Sequence, residues 1–468
     1  MKARTLKMLA VGMLLSTGCQ RYEREPLDIG GYETQWRDRV SRLGSVEEYL
    51  HHGLRPGEVS DAQRGGAFDA SDGLSLAEAE SVALVFNPEL RVARLAAGVP
   101  LAGARQAGRW EDPELDFELM RIVESVSEPW VAGVGIGFTI PLSGRLSAQK
   151  DAAWAGYSES WRRAALREWE VLVSLRVQWV EWSVAKSRAA LLEEYLTRLD
   201  EVRSVADRLA EAGAMAPTDA RVFTLESGLR REELERLKAD AEGRRLELMA
   251  LLGLLPEARV ELLGVVEATS VEPPTLEDRY NALRDHPELA VKRAEYEVAE
   301  QALRREILKQ YPDLTIGPVY ENEEGQSRIG LSGAIPVPLF NRNRREIAEA
   351  AAARDLARGE AELSYESLVA RLQQAQVRLA AARERSRFLE LEVAPAVDRQ
   401  MRDMQRLLDL REINVFLLQD VFTRSLETKL ALLDATGDEA VAANELEALL
   451  RPRWVSGPAP DAPKETTP

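Results

Sequence analysis

Residues 335–350, IPVPLFNRNRREIAEA, decide the fold, because a strand-like segment passes there through two prolines into an alanine-rich helix. Upstream, the apolar residues from 328 to 335 alternate with period two, which predicts a strand. Pro336 and Pro338 lack a backbone donor and disfavour helix just before them, so they predict the turn from strand to helix. A related stretch, IPLSGRLSAQKDAAWA, fills residues 140–155 and has Pro141 at its turn.

This recurrence belongs to an internal repeat. The segment NPEL at Asn87 matches HPEL at His286 (286 − 87 = 199), and Pro113 and Pro312 have the same separation. The spacing is much longer than a solenoid repeat, so we expect each copy to be half of one domain.

Composition and the amino terminus indicate an exported protein. A net charge of −17 over 468 residues argues against a nucleic-acid partner. Residues 1–18 have a basic start and a short apolar run, which is typical of a secretory signal. Elsewhere no run of about 18 apolar residues occurs, so a membrane crossing would have to be made by strands.

Cys19 is the only cysteine and directly follows Gly18. The sequence LSTGC at 15–19 resembles a bacterial lipoprotein signal, which implies acylation of Cys19. Ser16 stands where such signals usually carry leucine, so cleavage by an ordinary signal peptidase is the alternative. The adjacent His51 and His52 are expected to lie in a solvated loop rather than to form a metal site.

Each repeat is predicted to contain helices around one β-hairpin. In the first copy these are a helix at 76–109 broken at Asn87-Pro88, a hairpin at 114–140, a long helix at 144–212 and a helix at 218–253. In the second copy the hairpin is 313–337, the long helix 342–411 with a kink at Pro395, and the last helix 415–450. The predicted organisation is signal 1–18, periplasmic extension 19–73, first repeat 74–255, linker 256–277, second repeat 278–451 and disordered tail 452–468.

The predicted lengths constrain how these elements pack. Two shorter helices together match one long helix, so we expect two stacked helices beside one continuous helix in each copy. The strands have the length of bilayer-crossing strands, with Trp110 and Trp130 near opposite ends of the first hairpin. Pro318 predicts an edge strand or a bulge. A small soluble sheet is the alternative for the hairpins.

These segments together resemble the TolC-type outer-membrane efflux channels over nearly all of the mature chain. The resemblance implies a mainly α fold with membrane β structure: a homotrimer with a twelve-stranded transmembrane β-barrel and a long α-helical tunnel. It further implies a periplasmic adaptor and an inner-membrane resistance-nodulation-division pump as partners, and a lipid-anchored location in the outer membrane. PLFNRN with Ile347 is most similar to the heavy-metal branch, although Arg345 replaces its usual glycine.

No catalytic constellation is present in the sequence. It has no P-loop, GxSxG or HExxH motif and only three histidines, so we expect neither an enzyme nor a cofactor or metal site. The two alternative functions are a periplasmic adaptor and a structural coiled coil. A periplasmic adaptor should carry lipoyl-like strands around a single helical hairpin, and a structural coiled coil would not need the two β-hairpins.

Two acidic residues lie in the turns farthest from the hairpins, Asp219 in 213–219 and Asp420 in 411–420. Asp219 beside a helix start could serve as a capping carboxylate. In a trimer either residue would instead form a negative ring at the periplasmic entrance, which favours cations.

Overall fold

The computed structural model describes residues 22–46, 68, 72–123, 130–264, 266, 276–323, 326–409 and 415–450. Cys19, His51-His52, residues 267–275 of the linker and the tail lie outside these ranges, as do residues 411–414 of the second periplasmic turn. Within them, no helix is both long and apolar enough to cross a membrane.

The extension before the first repeat contains regular structure, which the sequence analysis did not predict. Helix α1 (Ile29–Arg37) is followed by a 3₁₀ helix, Val40–Ser45. The Trp36 indole donates to the Gly253 carbonyl at 3.0 Å, and Arg39 donates to the same carbonyl at 2.5 Å and to that of Phe86 at 3.1 Å. These two carbonyls end separate helices, so the segment holds the two ends together.

The first repeat follows the predicted order. Its elements are α2 (Leu76–Phe86), α3 (Pro88–Gln106), β1 (Glu114–Arg121), β2 (Trp130–Ile140), α4 (Arg145–Glu211) and α5 (Pro217–Leu251). The capping box at the start of α2 is formed by Ser75 and Glu78. Asn87 ends α2 and caps α3, accepting from the Glu89 and Leu90 amides at 2.9 and 3.0 Å. The helix that was predicted to reach residue 109 ends earlier, at Gln106.

The second repeat has the same order with one additional break. Its elements are α6 (Leu276–Arg284), α7 (Pro287–Leu308), β3 (Leu314–Glu323), β4 (Gln326–Ala334), α8 (Arg344–Phe388), a π-helical turn (Leu389–Val393), α9 (Ala394–Asp409) and α10 (Val415–Leu450). The interruption predicted at Pro395 is this π turn, which ends two residues before the proline. Proline cannot donate to the preceding turn, and the wider turn accommodates the lost bond.

The four strands form one antiparallel sheet in the order β1-β2-β3-β4. β3 lies inside the sheet, so the edge position predicted from Pro318 is wrong. The sheet tolerates Pro318 because the ladder between β2 and β3 has no pairs between Gly135↔Val319 and Phe138↔Ile316. β4 ends at Ala334, before the predicted residue 337, since Pro336 and Pro338 cannot extend the ladder.

The long helices form four columns. α4 packs on one side against α3 and α5, and on the other against α7 and α10, while α8 covers the far side of α7 and α10. Ion pairs fix the alignment of α3 and α5 along α4. The pair Arg94–Glu168 joins α3 to the first half of α4, and the pair Lys238–Glu193 joins α5 to the second half of α4. The predicted arrangement of two stacked helices beside one continuous helix is thus observed in both repeats.

The same junction between stacked helices is built differently in the two repeats. In the first, the Asn87 side chain donates to the Leu251 carbonyl at 2.7 Å while capping α3. In the second, His286 caps α7 and is only 3% exposed, and its Nδ1 accepts from the Glu288 amide at 3.3 Å. Burial is the main cause that lowers the His286 pKa to about 4; the Glu288 carboxylate opposes this shift and the Arg371 guanidinium adds to it.

We predict that His286→Asn removes an acid sensitivity of the fold. Because the folded-state pKa of about 4 lies below the unfolded value of 6.5, the unfolded chain binds more protons, and stability falls as pH drops from 6.5 towards 4. At pH 5 the loss should be about 2 kcal/mol relative to neutral pH. Denaturant titrations at both pH values should show this loss in the wild type and its absence in the variant. Replacing His51 and His52 by asparagine is the matched control, and an equal loss in His286→Asn would contradict the assignment.

Candidate channel wall

One face of the sheet is almost entirely apolar. The strand register aligns Phe117 with Val134, Val134 with Tyr320, and Tyr320 with Ile329, so these side chains form a row across all four strands. Phe117 is 84% exposed and Ile329 85%, so nothing in the described part of the chain covers this face. Its exposed members are Leu115, Phe117, Leu119, Val134, Ile136, Phe138, Ile316, Tyr320, Ile329 and Leu331.

The opposite face is polar and rich in glycine. One row across it consists of Glu118, Gly133, Glu321 and Arg328. Arg328 is ion-paired with Glu323 at 2.6 Å. Asp116 and Glu114 lie on the same face of β1, so acidic residues outnumber basic ones on this face within the described strands.

Glycine on this face lets the strands approach closely. A Cβ at Gly133 would lie 3.6 Å from both the Glu118 Cβ and the Glu321 Cγ, and one at Gly317 would lie 1.6 Å from the Ile136 carbonyl oxygen. A side chain at Gly317 is therefore incompatible with this strand pairing. The small residues leave the carboxylates as the groups that project furthest from the face.

Within the described part of the chain, both outer strands have an unpaired edge, because β1 pairs only with β2 and β4 only with β3. The outermost helices also have uncovered surfaces. Exposed apolar residues follow helical spacing on the outermost helices: Val92, Leu95 and Val99 on α3, Leu225 and Leu229 on α5, and Leu356, Leu363 and Val377 on α8. Sequence analysis missed these edge stripes, although their spacing of three, four and seven residues was readable.

The turns from strand to helix lie where the sequence placed them. Pro141 follows the last residue of β2, and Pro336 and Pro338 lie between β4 and α8. At the first turn, Arg145 joins the lead-in segments of β1 and β3, contacting Glu111 and Asp313 at 2.8 Å each. These contacts raise the Arg145 pKa, chiefly through the hydrogen bond to Glu111.

The two candidate gate residues lie at the helix ends remote from the sheet. Asp219 is half-buried in the first turn of α5, but the cap position is Ala216 and no side chain caps this helix. The capping hydrogen bond considered for Asp219 is therefore not formed, and only its favourable place near the helix dipole is retained. Asp420 is exposed and ion-paired with Arg424 at 2.8 Å. Ala220 near the start of α5 and Leu418 near the start of α10 both belong to the apolar cluster that surrounds the later part of α4.

No group of three or more histidine, cysteine or acidic side chains within the described residues is arranged to hold a metal ion. The polar face of the sheet can instead attract cations without a fixed coordination site, since neighbouring carboxylates reinforce one another electrostatically.

Part of the sequence matches a described protein family and a metal-resistance protein. A family model described as "Outer membrane efflux protein" matches residues 80–254. The cobalt-zinc-cadmium resistance protein CzcC of Cupriavidus metallidurans is 25% identical over 248 residues, 52% of this chain and 59% of CzcC. The match thus spans less than two thirds of that relative.

Solved structures agree over a larger part of the chain. CusC superposes with a TM-score of 0.69 at 14% identity, covering 80% of this chain and 91% of CusC. The CmeC outer membrane channel of Campylobacter jejuni gives 0.68 at 12% identity, covering 93% and 94%. VceC of Vibrio cholerae gives 0.67 at 14%, covering 80% and 95%. The adaptor and structural coiled-coil alternatives are not favoured by these comparisons.

The resemblance to the TolC-like outer-membrane efflux family that the sequence indicated is therefore confirmed, by the family match in the first repeat and by the fold shared with these channels.

Proposed function

We propose that this chain is the outer-membrane channel component of a tripartite efflux system. Three copies would form one conduit that passively carries solutes from an inner-membrane pump of the resistance-nodulation-division type and a periplasmic adaptor to the exterior. The work of such a conduit is to exclude lipid and hold a polar passage, which requires no catalytic group.

The observation that carries this proposal is the sheet with two uncovered faces and two unpaired edges. In hydrocarbon an unpaired strand edge is costly, because its amides and carbonyls find no partners, so the sheet must close with other copies. Two copies would give a closed barrel of about eight strands, filled by its own side chains, whereas three give about twelve and begin to leave a lumen. The apolar face then meets lipid and the acidic face lines the passage.

The helical columns support the same arrangement. Their outermost members carry unpartnered apolar stripes, Leu225 and Leu229 on one side and Leu363 and Val377 on the other. Because these stripes lie at opposite ends of the column order, one copy can place its α8 against the α3 and α5 of the next. Such a head-to-tail contact closes into a ring.

Heavy-metal cations are the proposed solutes. The acidic residues Asp116, Glu118 and Glu321 on one sheet face favour positive charge, and CzcC, which this chain resembles in part, is a cobalt-zinc-cadmium resistance protein.

We predict opposite labelling of neighbouring positions in β1. A single cysteine at Phe117, or at Phe138 in β2, should react with lipid-soluble but not water-soluble maleimides in the outer membrane, because both side chains belong to the apolar face. Asp116→Cys, one residue away on the other face, should show the reverse preference and is the matched control. Equal reaction of all three positions with both reagents would support a soluble sheet.

The helix starts at Asp219 and Asp420 are proposed as the periplasmic gate. In planar bilayers, Asp219→Asn should reduce cation preference and block by multivalent cations more than Asp420→Asn, because Arg424 already neutralises Asp420. Asp240→Asn, midway along α5 and also paired with an arginine, is the control. Unchanged selectivity in the double variant Asp219→Asn, Asp420→Asn would leave no gate function for either residue.

Lipid anchoring at Cys19 is also proposed, from LSTGC and the absence of any other cysteine in the sequence. Radiolabelled palmitate should enter the wild type and be absent from Cys19→Ser. A Ser16→Leu variant, which restores the usual leucine, should label at least as well as the wild type. Equal labelling with and without Cys19 would reject the anchor.

A further inference from the structure

The segment between β4 and α8 is apolar, exposed and followed by arginines. Phe340 is 95% exposed, and Ile335, Val337 and Leu339 are exposed as well. Arg342, Arg344 and Arg345 follow within five residues, and all three are exposed. Residues 326–345 contain four arginines and no acidic residue, in a chain whose net charge is −17. We call residues 335–345 the arginine loop.

The backbone of the arginine loop is fixed rather than loose. Arg342 and Asn343 both have positive φ, 49° and 53°, a conformation that is costly for residues other than glycine. The Asn343 side chain holds it by donating to the carbonyl and the carboxylate of Glu306 at 2.8 and 3.0 Å. A strained turn that is tied down in this way keeps Phe340 projecting outward.

The corresponding turn of the first repeat is built to neutralise its charge. There Arg145 is the only arginine, and it contacts Glu111 and Asp313. In the arginine loop, Arg342 donates to the Pro338 carbonyl, and no carboxylate of the described chain pairs with Arg342 or Arg344. Arg345 is paired only with the exposed Glu349 on its own helix. The corresponding turns of the two repeats therefore differ. The positive charge is paired in the first repeat, and in the second it is available to a partner.

We propose that the arginine loop docks into the periplasmic leaflet of the outer membrane and binds the phosphate of anionic phospholipids. This rests on the proposed function, in which the apolar sheet face meets lipid and the helices extend into the periplasm. β4 places Ile329 and Leu331 on that face, and Ile335 continues it past the strand end at Ala334. The loop then lies at the depth where acyl chains meet headgroups, with Phe340 in the apolar zone. The arginines reach phosphate, which the guanidinium binds as a bidentate donor.

Depth can be measured with a nitroxide at Phe340→Cys, in the trimer reconstituted in vesicles of phosphatidylethanolamine and phosphatidylglycerol. Collision with oxygen should exceed collision with a water-soluble nickel chelate. Phe117→Cys is the lipid-facing reference and Thr197→Cys the water-facing one. Nickel access equal to that at position 197 would overturn docking, and shielding from both reagents would show that a second copy covers the loop and would overturn it too. If position 117 is not lipid-exposed, the proposed channel itself fails; if only position 340 is not, the failure is confined to the loop.

Headgroup binding needs a second measurement. The association of spin-labelled phosphatidylglycerol, relative to phosphatidylcholine, should fall about tenfold or more when Arg342, Arg344 and Arg345 are changed to glutamine. Changing the same residues to lysine should retain most of the preference, because the charge is kept. Changing Arg399, Arg402 and Arg406 of α9 to glutamine removes equal charge at the opposite end and should alter nothing. An undiminished preference in the Arg342→Gln, Arg344→Gln, Arg345→Gln variant would overturn the proposal.

Discussion

No part of the described chain covers either face of the four-stranded sheet, and the rest of the structure depends on this constraint. A sheet with one bare apolar face is unstable in water, and a sheet with two unpaired edges is unstable in lipid. The strands therefore require both a hydrocarbon environment and further copies of the chain. The helices supply what the strands cannot, since their columns bury a continuous core along α4, from Leu172 to Leu199, and hold each hairpin at a fixed position.

The duplication gives two halves with the same element order and different chemistry at corresponding points. Asn87 and His286 both cap a helix at the stacked joint, but only the histidine can take up a proton. Arg145 is neutralised at its turn, whereas Arg342 and Arg344 are not paired with any described carboxylate. Corresponding points of the two halves thus keep a similar place in the fold while their charge differs.

Sequence alone predicted the order of helices and strands in both repeats, because capping residues, prolines and periodicity act over a few residues. The break at Asn87-Pro88 is an example, because Asn87 ends one helix and caps the next. Prediction from sequence failed where contacts between residues far apart in the chain determine the local structure. Pro318 was predicted to mark an edge strand or a bulge, because a proline inside a sheet requires a local gap in the ladder that only the partner strand reveals. The helix at Ile29–Arg37 was missed because Arg39 and Trp36 find their acceptors more than 200 residues away, at Gly253. Of the candidate site, the acidic sheet face becomes visible only from the strand register, and the gate residues remain a prediction.

The π-helical turn at Leu389–Val393 gives the two long helices unequal mechanics. α4 runs for 67 residues without interruption and behaves as a stiff beam. The corresponding helix of the second repeat is divided into segments of 45 and 16 residues by a turn in which the hydrogen bonds span five residues instead of four. Under a torque applied at the periplasmic tip, bending concentrates at this weak point while α4 keeps its shape. The bending flexibility of the molecule is therefore concentrated in the second repeat, at this single turn of the backbone.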